Sequence, residues 1–258
     1  MVIKRDIYYP PADSNRKLHI YIPGNYYQSD ERYPVMYMFD GHNLFFDWDA
    51  TYGKSWGFYN FLESWDKPMI LVGMECSHIG DQRLNEYSPY TRHMFGRDLT
   101  GMGDQTFQWL IHDIKPMIDR EYRTYPQRLA TGLGGSSMGG IMTVYGMIRY
   151  NSIFSKGAAV STGVYWNIAD FRADLKKSSV EEDTRLYLSW GELESGRAPH
   201  GGSPEYDSRE AKSVYRLEAE LQAKGMRTYH YFQWGGRHCE EDWEKQVPVF
   251  MNWLWKEA

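Results

Sequence analysis

Short apolar segments that alternate with longer segments of helical periodicity limit the folds open to this chain more than any other feature does. Pro34–Phe39 reads PVMYMF and Met69–Met74 reads MILVGM, and such runs are typical of strands buried on both faces. Further strands are predicted at Lys17–Ile22, Leu129–Leu133, Gly157–Val160, Arg185–Trp190 and Arg227–Phe232. Strands that alternate with helices predict an α/β fold, with a mostly parallel sheet that helices cover on both faces.

Four segments carry the apolar spacing of amphipathic helices. They are Gln105–Glu121, Met138–Tyr150, Ser208–Lys224 and Glu240–Lys256. Pro116 and Pro248 lie inside the first and the last of these, where each predicts a bend or an end. Ser208 predicts an N-cap for the third helix, and Gly225 follows its end. No change of composition indicates a linker, so residues 1–258 are predicted to form a single domain.

Charge and composition exclude several classes of partner. The net charge is −5 and no basic block occurs, so no nucleic acid is expected. The longest apolar run, Pro68–Met74, has the length of a strand, so no membrane span is expected. The first residues lack the apolar segment of a signal peptide, which favours the cytoplasm, although a secreted chain without its leader would look the same. Cys76 and Cys239 are too few for a disulfide framework or a closed zinc site.

Aromatic residues make up 16% of the chain, and they fit either a well-packed core or a pocket for sugars or aromatic acyl groups. The long, irregular segment Ser77–Gly103 is typical of a lid or a pocket wall. It contains Tyr87, Tyr90 and Phe95, and Trp166 follows another predicted strand. Because ligands of open α/β sheets bind at the carboxyl ends of strands, Tyr87, Tyr90 and Trp166 are candidate pocket residues.

The segment Gly135-Ser136-Ser137-Met138-Gly139 matches G-x-S-x-G, with Ser137 at its centre. It lies between a predicted strand and a predicted helix. In that position a tight turn exposes a nucleophilic serine hydroxyl, and the glycines leave room for the turn. The alternative is a Gly/Ser-rich turn without chemistry. A dinucleotide loop that starts at Gly132 is discarded, because the third glycine of that pattern would fall at Ser137.

A nucleophilic serine needs a base, and histidine is the residue expected after it in chain order. Three histidines follow Ser137. His230 lies inside a predicted strand and His200 lies in a Gly/Pro-rich loop, whereas His238 lies between the last predicted strand and the last helix. His238 is therefore the predicted base. A thiol nucleophile at Cys239 is the weaker interpretation, since a buried, inert cysteine is more common.

The base needs an orienting carboxylate, and Glu192 and Glu194 both follow the strand Arg185–Trp190. Glu194 is favoured, because the chain must turn after Gly191 before a side chain can reach the loop of His238.

The oxyanion hole needs two backbone N–H groups, which are predicted at Met138 and at His42 in the loop after Pro34–Phe39. The His42 side chain has no partner ligands at suitable spacing. A structural or pocket-lining role is therefore expected for this side chain. No metal and no cofactor are expected for the protein.

Five motifs together resemble the esterase D-like esterases of the α/β-hydrolase superfamily, from about Lys17 to the C-terminus. They are YMFDGHNLF at Tyr37–Phe45, NEYSPY at Asn85–Tyr90, GGSSMGG at Gly134–Gly140, SWGELE at Ser189–Glu194 and GGRHCEEDW at Gly235–Trp243. That family includes enterobactin, feruloyl and acetylxylan esterases, S-formylglutathione hydrolase and mycolyltransferases. The resemblance implies an α/β-hydrolase fold, with Ser137 as nucleophile, His238 as base and Glu194 as acid.

The resemblance also implies the reaction class. The leading interpretation is a serine carboxylesterase for small-molecule or carbohydrate esters, with short-chain, sugar-acetyl or feruloyl-type acyl groups. The alternatives are an acyltransferase with an alcohol or sugar acceptor, and a non-catalytic carbohydrate-binding module on a hydrolase scaffold. His42 stands where many relatives have glutamine, so its backbone role would persist while its side-chain role would differ. Trp166 lies where relatives often have an aromatic residue near the pocket.

Overall fold

A computed structural model of the chain describes residues 1–94, 96–194 and 202–256. These residues divide into two units, Met1–Gly132 and Leu133–Ala258, and the division falls inside a strand. The single domain predicted from the sequence stays a prediction. Among the described residues, no helix is long and apolar enough to cross a membrane.

The described residues of the first unit form six strands, and the pairing of two of them brings the loops that follow them together. Its strands are β1 (Val2–Tyr9), β2 (Ser14–Tyr21), β3 (Val35–Phe39), β4 (Ile70–Met74), β5 (Arg92–Met94) and β6 (Arg97–Leu99). Its helices are α1 (Phe58–Ser64), α2 (Gln82–Glu86), α3 (Gly103–Trp109) and α4 (Lys115–Glu121). The first four strands lie in the order β1-β2-β4-β3, and β3 and β4 run parallel and are buried throughout. Because Phe39 pairs with Met74, the loops after β3 and β4 leave at the same edge.

The second unit alternates strands with helices. Its strands are β7 (Thr131–Ser136), β8 (Lys156–Val160), β9 (Arg185–Gly191) and β10 (Arg227–Gln233), neighbours in that order. Its helices are α5 (Met138–Arg149), α6 (Ile168–Lys177), α7 (Arg209–Ala223), α8 (Glu240–Glu244) and α9 (Val247–Trp255). β9 runs parallel to both β8 and β10. The α/β class predicted from the sequence is confirmed.

Both prolines that interrupt predicted helices lie in the first turn of a new helix. Pro116 opens α4 after a π-helical turn at Leu110–Ile114, and Pro248 opens α9. Pro248 is tolerated because the first-turn N–H groups of a helix have no intrahelical acceptor, and Pro116 directly follows a π-helical turn, where the regular helical hydrogen bonding is already interrupted. The predicted N-cap is also confirmed, since Ser208 accepts a hydrogen bond from the Ala211 N–H at 3.1 Å.

Candidate active site

Ser137 occupies a strained turn between β7 and α5. Its φ is 55° and its ψ is −120°, a conformation that L-residues rarely adopt and that costs roughly 1–3 kcal/mol. The Ser137 N–H donates to the Val160 carbonyl at 3.0 Å, which ties the turn to β8. A Cβ at Gly135 would lie 2.9 Å from the Gly139 carbonyl carbon, so the two glycines of the motif pack backbone against backbone. The predicted strand–turn–helix context of Ser137 is therefore present.

His238 and Glu194 are in direct contact. The His238 Nδ1 lies 2.6 Å from the Glu194 Oε2, and the two side chains are 45% and 11% exposed. Since a carboxylate accepts, Nδ1 donates in this bond, and in the neutral imidazole Nε2 is then the nitrogen with the lone pair. The Trp243 ring meets the imidazole edge to face, with centroids 5.0 Å apart. This arrangement leaves His238 in the tautomer that a general base requires.

Glu192, the competing acid, contacts a different group. Its Oε2 accepts the Gly235 N–H at 2.8 Å, and its own N–H donates to the Gln233 carbonyl. Glu192 thus holds the turn that precedes His238, while Glu194 holds the imidazole.

Ser161 supports Glu194, a role that only its position directly after β8 could have suggested from the sequence. Its hydroxyl donates to the Glu194 Oε1 at 2.7 Å and accepts the Trp243 Nε1–H at 2.9 Å. The Gly191 N–H donates to the same carboxylate oxygen at 2.7 Å. Two groups besides His238 therefore fix the Glu194 carboxylate, and one of them, Ser161, also orders the ring beside His238.

Removing the Ser161 hydroxyl should weaken any reaction that depends on this carboxylate. A hydrogen bond to a charged group contributes about 1.5–3 kcal/mol, so Ser161→Ala should lower kcat for ester hydrolysis roughly tenfold or more, with little change in KM. Ser213→Ala is the control, because the Ser213 hydroxyl donates to the Arg209 carbonyl within its own helix. Equal kcat values for parent and Ser161→Ala, measured by initial rates, would contradict this role.

The loop after β3 is held close to β4. A Cβ at Gly41 would lie 2.5 Å from the Gly73 carbonyl carbon, so only glycine fits there. Asp40, with a φ of 57°, makes a two-pronged hydrogen bond with Arg83, at 2.7 Å from both Nε and Nη2. Burial opposes ionisation of Asp40, but the charge and hydrogen bonds of Arg83 hold its pKa below the usual value. His42 is buried in this ordered turn. The oxyanion roles of the His42 and Met138 N–H groups stay predictions.

Two side chains that could bind a metal lie close to the His42 side chain, although no such residues stood at suitable spacing in the sequence. Glu75 and His78 follow β4, and parallel pairing brings their loop beside His42. Their separation in sequence concealed this contact. Burial would raise the pKa of Glu75, but hydrogen bonds with His19 and His78 lower it to about 2. Burial lowers the pKa of His42, which favours the neutral imidazole.

Comparisons with known proteins identify the family of the chain. A family model described as "Putative esterase" matches residues 11–254. The chain belongs to this esterase family. It is 26% identical over 250 residues to the uncharacterized protein YbbA of Bacillus subtilis, which covers 93% of each chain. It is 25% identical over 197 residues to Esterase Rv1288 of Mycobacterium tuberculosis, which covers 74% of this chain and 36% of that protein.

Solved structures show the fold of this esterase. An IroE-like serine hydrolase from Shewanella oneidensis superposes with a TM-score of 0.77 at 18% identity, over 99% of this chain and 80% of that one. The enterobactin esterase of Shigella flexneri superposes with a TM-score of 0.73 at 14% identity, over 99% of this chain and 59% of that one. The α/β-hydrolase fold predicted from the sequence is confirmed.

The aromatic candidates of the esterase differ in burial. Tyr87 is 1% exposed, its ring contacts Phe39, and its hydroxyl accepts the Asp40 N–H at 3.2 Å. Tyr87 is thus a core residue, which corrects its expected place in a pocket wall. Tyr90 is half-buried, with the Arg92 guanidinium 6.0 Å from its ring centroid. Phe95, like His200, lies outside the described residues.

Trp166 ends a short 3-10 turn, Val164–Trp166, and is half-buried. Glu210 holds the start of that turn, because its buried Oε1 accepts the Val164 N–H at 2.9 Å. Burial raises the pKa of Glu210 to about 7. Trp166 therefore belongs to an anchored turn just after the carboxyl end of β8, where a substrate contact is expected.

Proposed function

We propose that this esterase is a serine carboxylesterase that works through an acyl-enzyme on Ser137. The contact between His238 Nδ1 and Glu194 Oε2 carries the proposal, since it gives the base the required tautomer. The strained turn at Ser137 supports it, because that turn exposes the serine of known hydrolases to their substrates.

In the proposed reaction, His238 Nε2 takes the hydroxyl proton as Ser137 Oγ attacks the ester carbonyl. Glu194 stabilises the imidazolium that forms, and the N–H groups of Met138 and His42 stabilise the negative oxygen. The alcohol leaves with the proton from His238, and Ser137 keeps the acyl group. His238 then activates water, which releases the acid and restores the serine.

An ester panel tests this function. It should contain activated acetyl and longer acyl esters, acetylated sugars, and feruloyl esters. Because solved structures of this fold include an enterobactin esterase and a ferulic acid esterase, esters of other aromatic acids belong in the panel as well. Hydrolysis of at least one class, with a burst of alcohol that matches the enzyme concentration, would support the acyl-enzyme. A transferase would instead pass the acyl group to an added alcohol in preference to water.

Trp166 should influence which ester is preferred. Trp166→Ala should lower kcat/KM for an aromatic ester about tenfold relative to an acetyl ester, since aromatic contacts contribute about 0.5–1.5 kcal/mol beyond their buried area. The melting temperature should change little, because the ring is half-buried. The matched control is Trp48→Ala, since Trp48 is 78% exposed and lies outside the predicted site. Uniform losses on all esters with a large fall in melting temperature would place Trp166 in the core instead.

A further inference from the structure

The side chains of two histidines and a glutamate, none of which the proposed hydrolysis uses, converge beside the loop after β3. One ring nitrogen of His42, one of His78 and a carboxylate oxygen of Glu75 all lie within 4.8 Å of one another. The Glu75 Oε2 and the His78 Nε2 are 3.1 Å apart. The two imidazole rings meet edge to face, with centroids 4.5 Å apart. Three groups that commonly bind metals are thus gathered from the loops after two paired strands.

The His42 ring has an unmet bonding capacity. It is 6% exposed, and its Nε2 lies 2.9 Å from the Thr51 hydroxyl. Its Nδ1 is buried and has no hydrogen-bond partner in the part of the chain that the structure describes. If Nε2–H donates to Thr51, Nδ1 presents a free lone pair, and a cation would satisfy it. Metal-binding histidines typically donate their other N–H in this way.

His19 orients the Glu75 carboxylate. His19 is 2% exposed, and its Nε2 lies 2.6 Å from the Glu75 Oε1. One carboxylate oxygen is therefore engaged, while the other faces His78. Such a second contact fixes the direction of a carboxylate ligand in many metal sites.

The cluster also has a route to solvent. Glu75 and His78 both line a surface cavity of about 410 Å³. The His78 side chain is 53% exposed and that of Glu75 is 14% exposed, while His42 lies deepest. An ion could therefore enter through this cavity without opening the core.

We propose that His42, Glu75 and His78 bind one divalent transition-metal ion of the Zn²⁺ type. Two imidazoles and one carboxylate form a donor set that suits this ion and leave a fourth position for water. Bonds of about 2.0–2.2 Å to a tetrahedral ion place ligand atoms about 3.3 Å apart, so a pair at the 4.8 Å limit must close by about 1.5 Å. The His78 side chain is 53% exposed and has room to move toward the other two groups. The bound ion would link the loop after β3 to the loop after β4.

Titration of the chelator-treated protein with ZnCl₂ tests the site. Calorimetry should show one Zn²⁺ per chain for the parent. His78→Ala and Glu75→Gln should each weaken the Zn²⁺ affinity at least about tenfold. Loss of a residue that only hydrogen-bonds to a metal ligand already lowers metal affinity about 10–100-fold in typical sites. His93→Ala is the matched control, because His93 forms an exposed pair with Asp98 at 2.8 Å, a histidine–carboxylate contact outside this cluster. It should bind Zn²⁺ like the parent.

Thermal melting provides the second measurement. Zn²⁺ should raise the melting temperature of the parent and of His93→Ala, but not that of His78→Ala, because only a folded site binds the ion. Since His78 is half exposed, its replacement should leave the melting temperature of the metal-free protein unchanged. If His78→Ala proves unstable without metal, Glu75→Gln provides the same test. Equal affinity of the parent and both cluster variants, or the absence of saturable 1:1 binding to the parent, would overturn the proposal. Neither measurement depends on esterase activity.

Discussion

Ser137→Ala should lower kcat for ester hydrolysis by about 10³-fold or more, because the acyl-enzyme cannot form without the hydroxyl oxygen. Alanine keeps the Cβ of serine, so the strain of the turn at φ 55° is the same in both proteins and stability should change little. The measurement is kcat on an activated acetyl ester, together with labelling by a fluorophosphonate. The label should bind the parent and fail to bind the variant.

Ser136→Ala is the control for this prediction. Ser136 is the last residue of β7 and is buried at its carboxyl end, next to the proposed nucleophile but outside the strained position. Its replacement should leave kcat within a few-fold of the parent. Normal phosphonate labelling of Ser137→Ala would show that another residue is the nucleophile.

The sequence predicts the buried part of the fold better than its periphery. β3 and β4 are buried at every residue, so their apolar runs identify them almost to the residue. β1 was missed because it lies at the end of the strand order and carries exposed charged residues, as edge strands commonly do. α1 and α6 were also missed, since each buries only two residues.

The residues of the candidate site likewise divide into those that the sequence predicts and those that only the structure reveals. Ser137, His238 and Glu194 could be proposed from the sequence, because chain order and position after predicted strands restrict the choices to a few residues. Ser161 could not, since its role follows from a hydrogen bond to a residue 33 positions away. The cluster of His42, Glu75 and His78 likewise depends on the register of two parallel strands, which composition and spacing do not reveal.

Glu194→Gln should lower kcat by roughly 10²–10⁴-fold, and the hydrogen bonds around the carboxylate explain why. Oε1 accepts from both the Ser161 hydroxyl and the Gly191 N–H. In the glutamine variant the amide oxygen should therefore occupy that position, which turns the NH₂ group toward His238 Nδ1. Nδ1 must then accept, so the proton moves to Nε2 and the imidazole loses the lone pair that should receive the Ser137 proton. The variant also lacks the negative charge that would stabilise the imidazolium.

Glu192→Gln is the matched control, because it makes the same chemical change two residues away. The Glu192 Oε2 accepts only the Gly235 N–H among its described hydrogen bonds, and a glutamine amide oxygen can accept that bond equally well. Its kcat should stay within a few-fold of the parent when both variants are assayed on one activated acetyl ester at mildly alkaline pH. If Glu192→Gln were the inactive variant and Glu194→Gln the active one, the acid would be misassigned by two residues, while Ser137 and His238 could keep their proposed roles. The pair of rates therefore tests the acid separately from the nucleophile and the base.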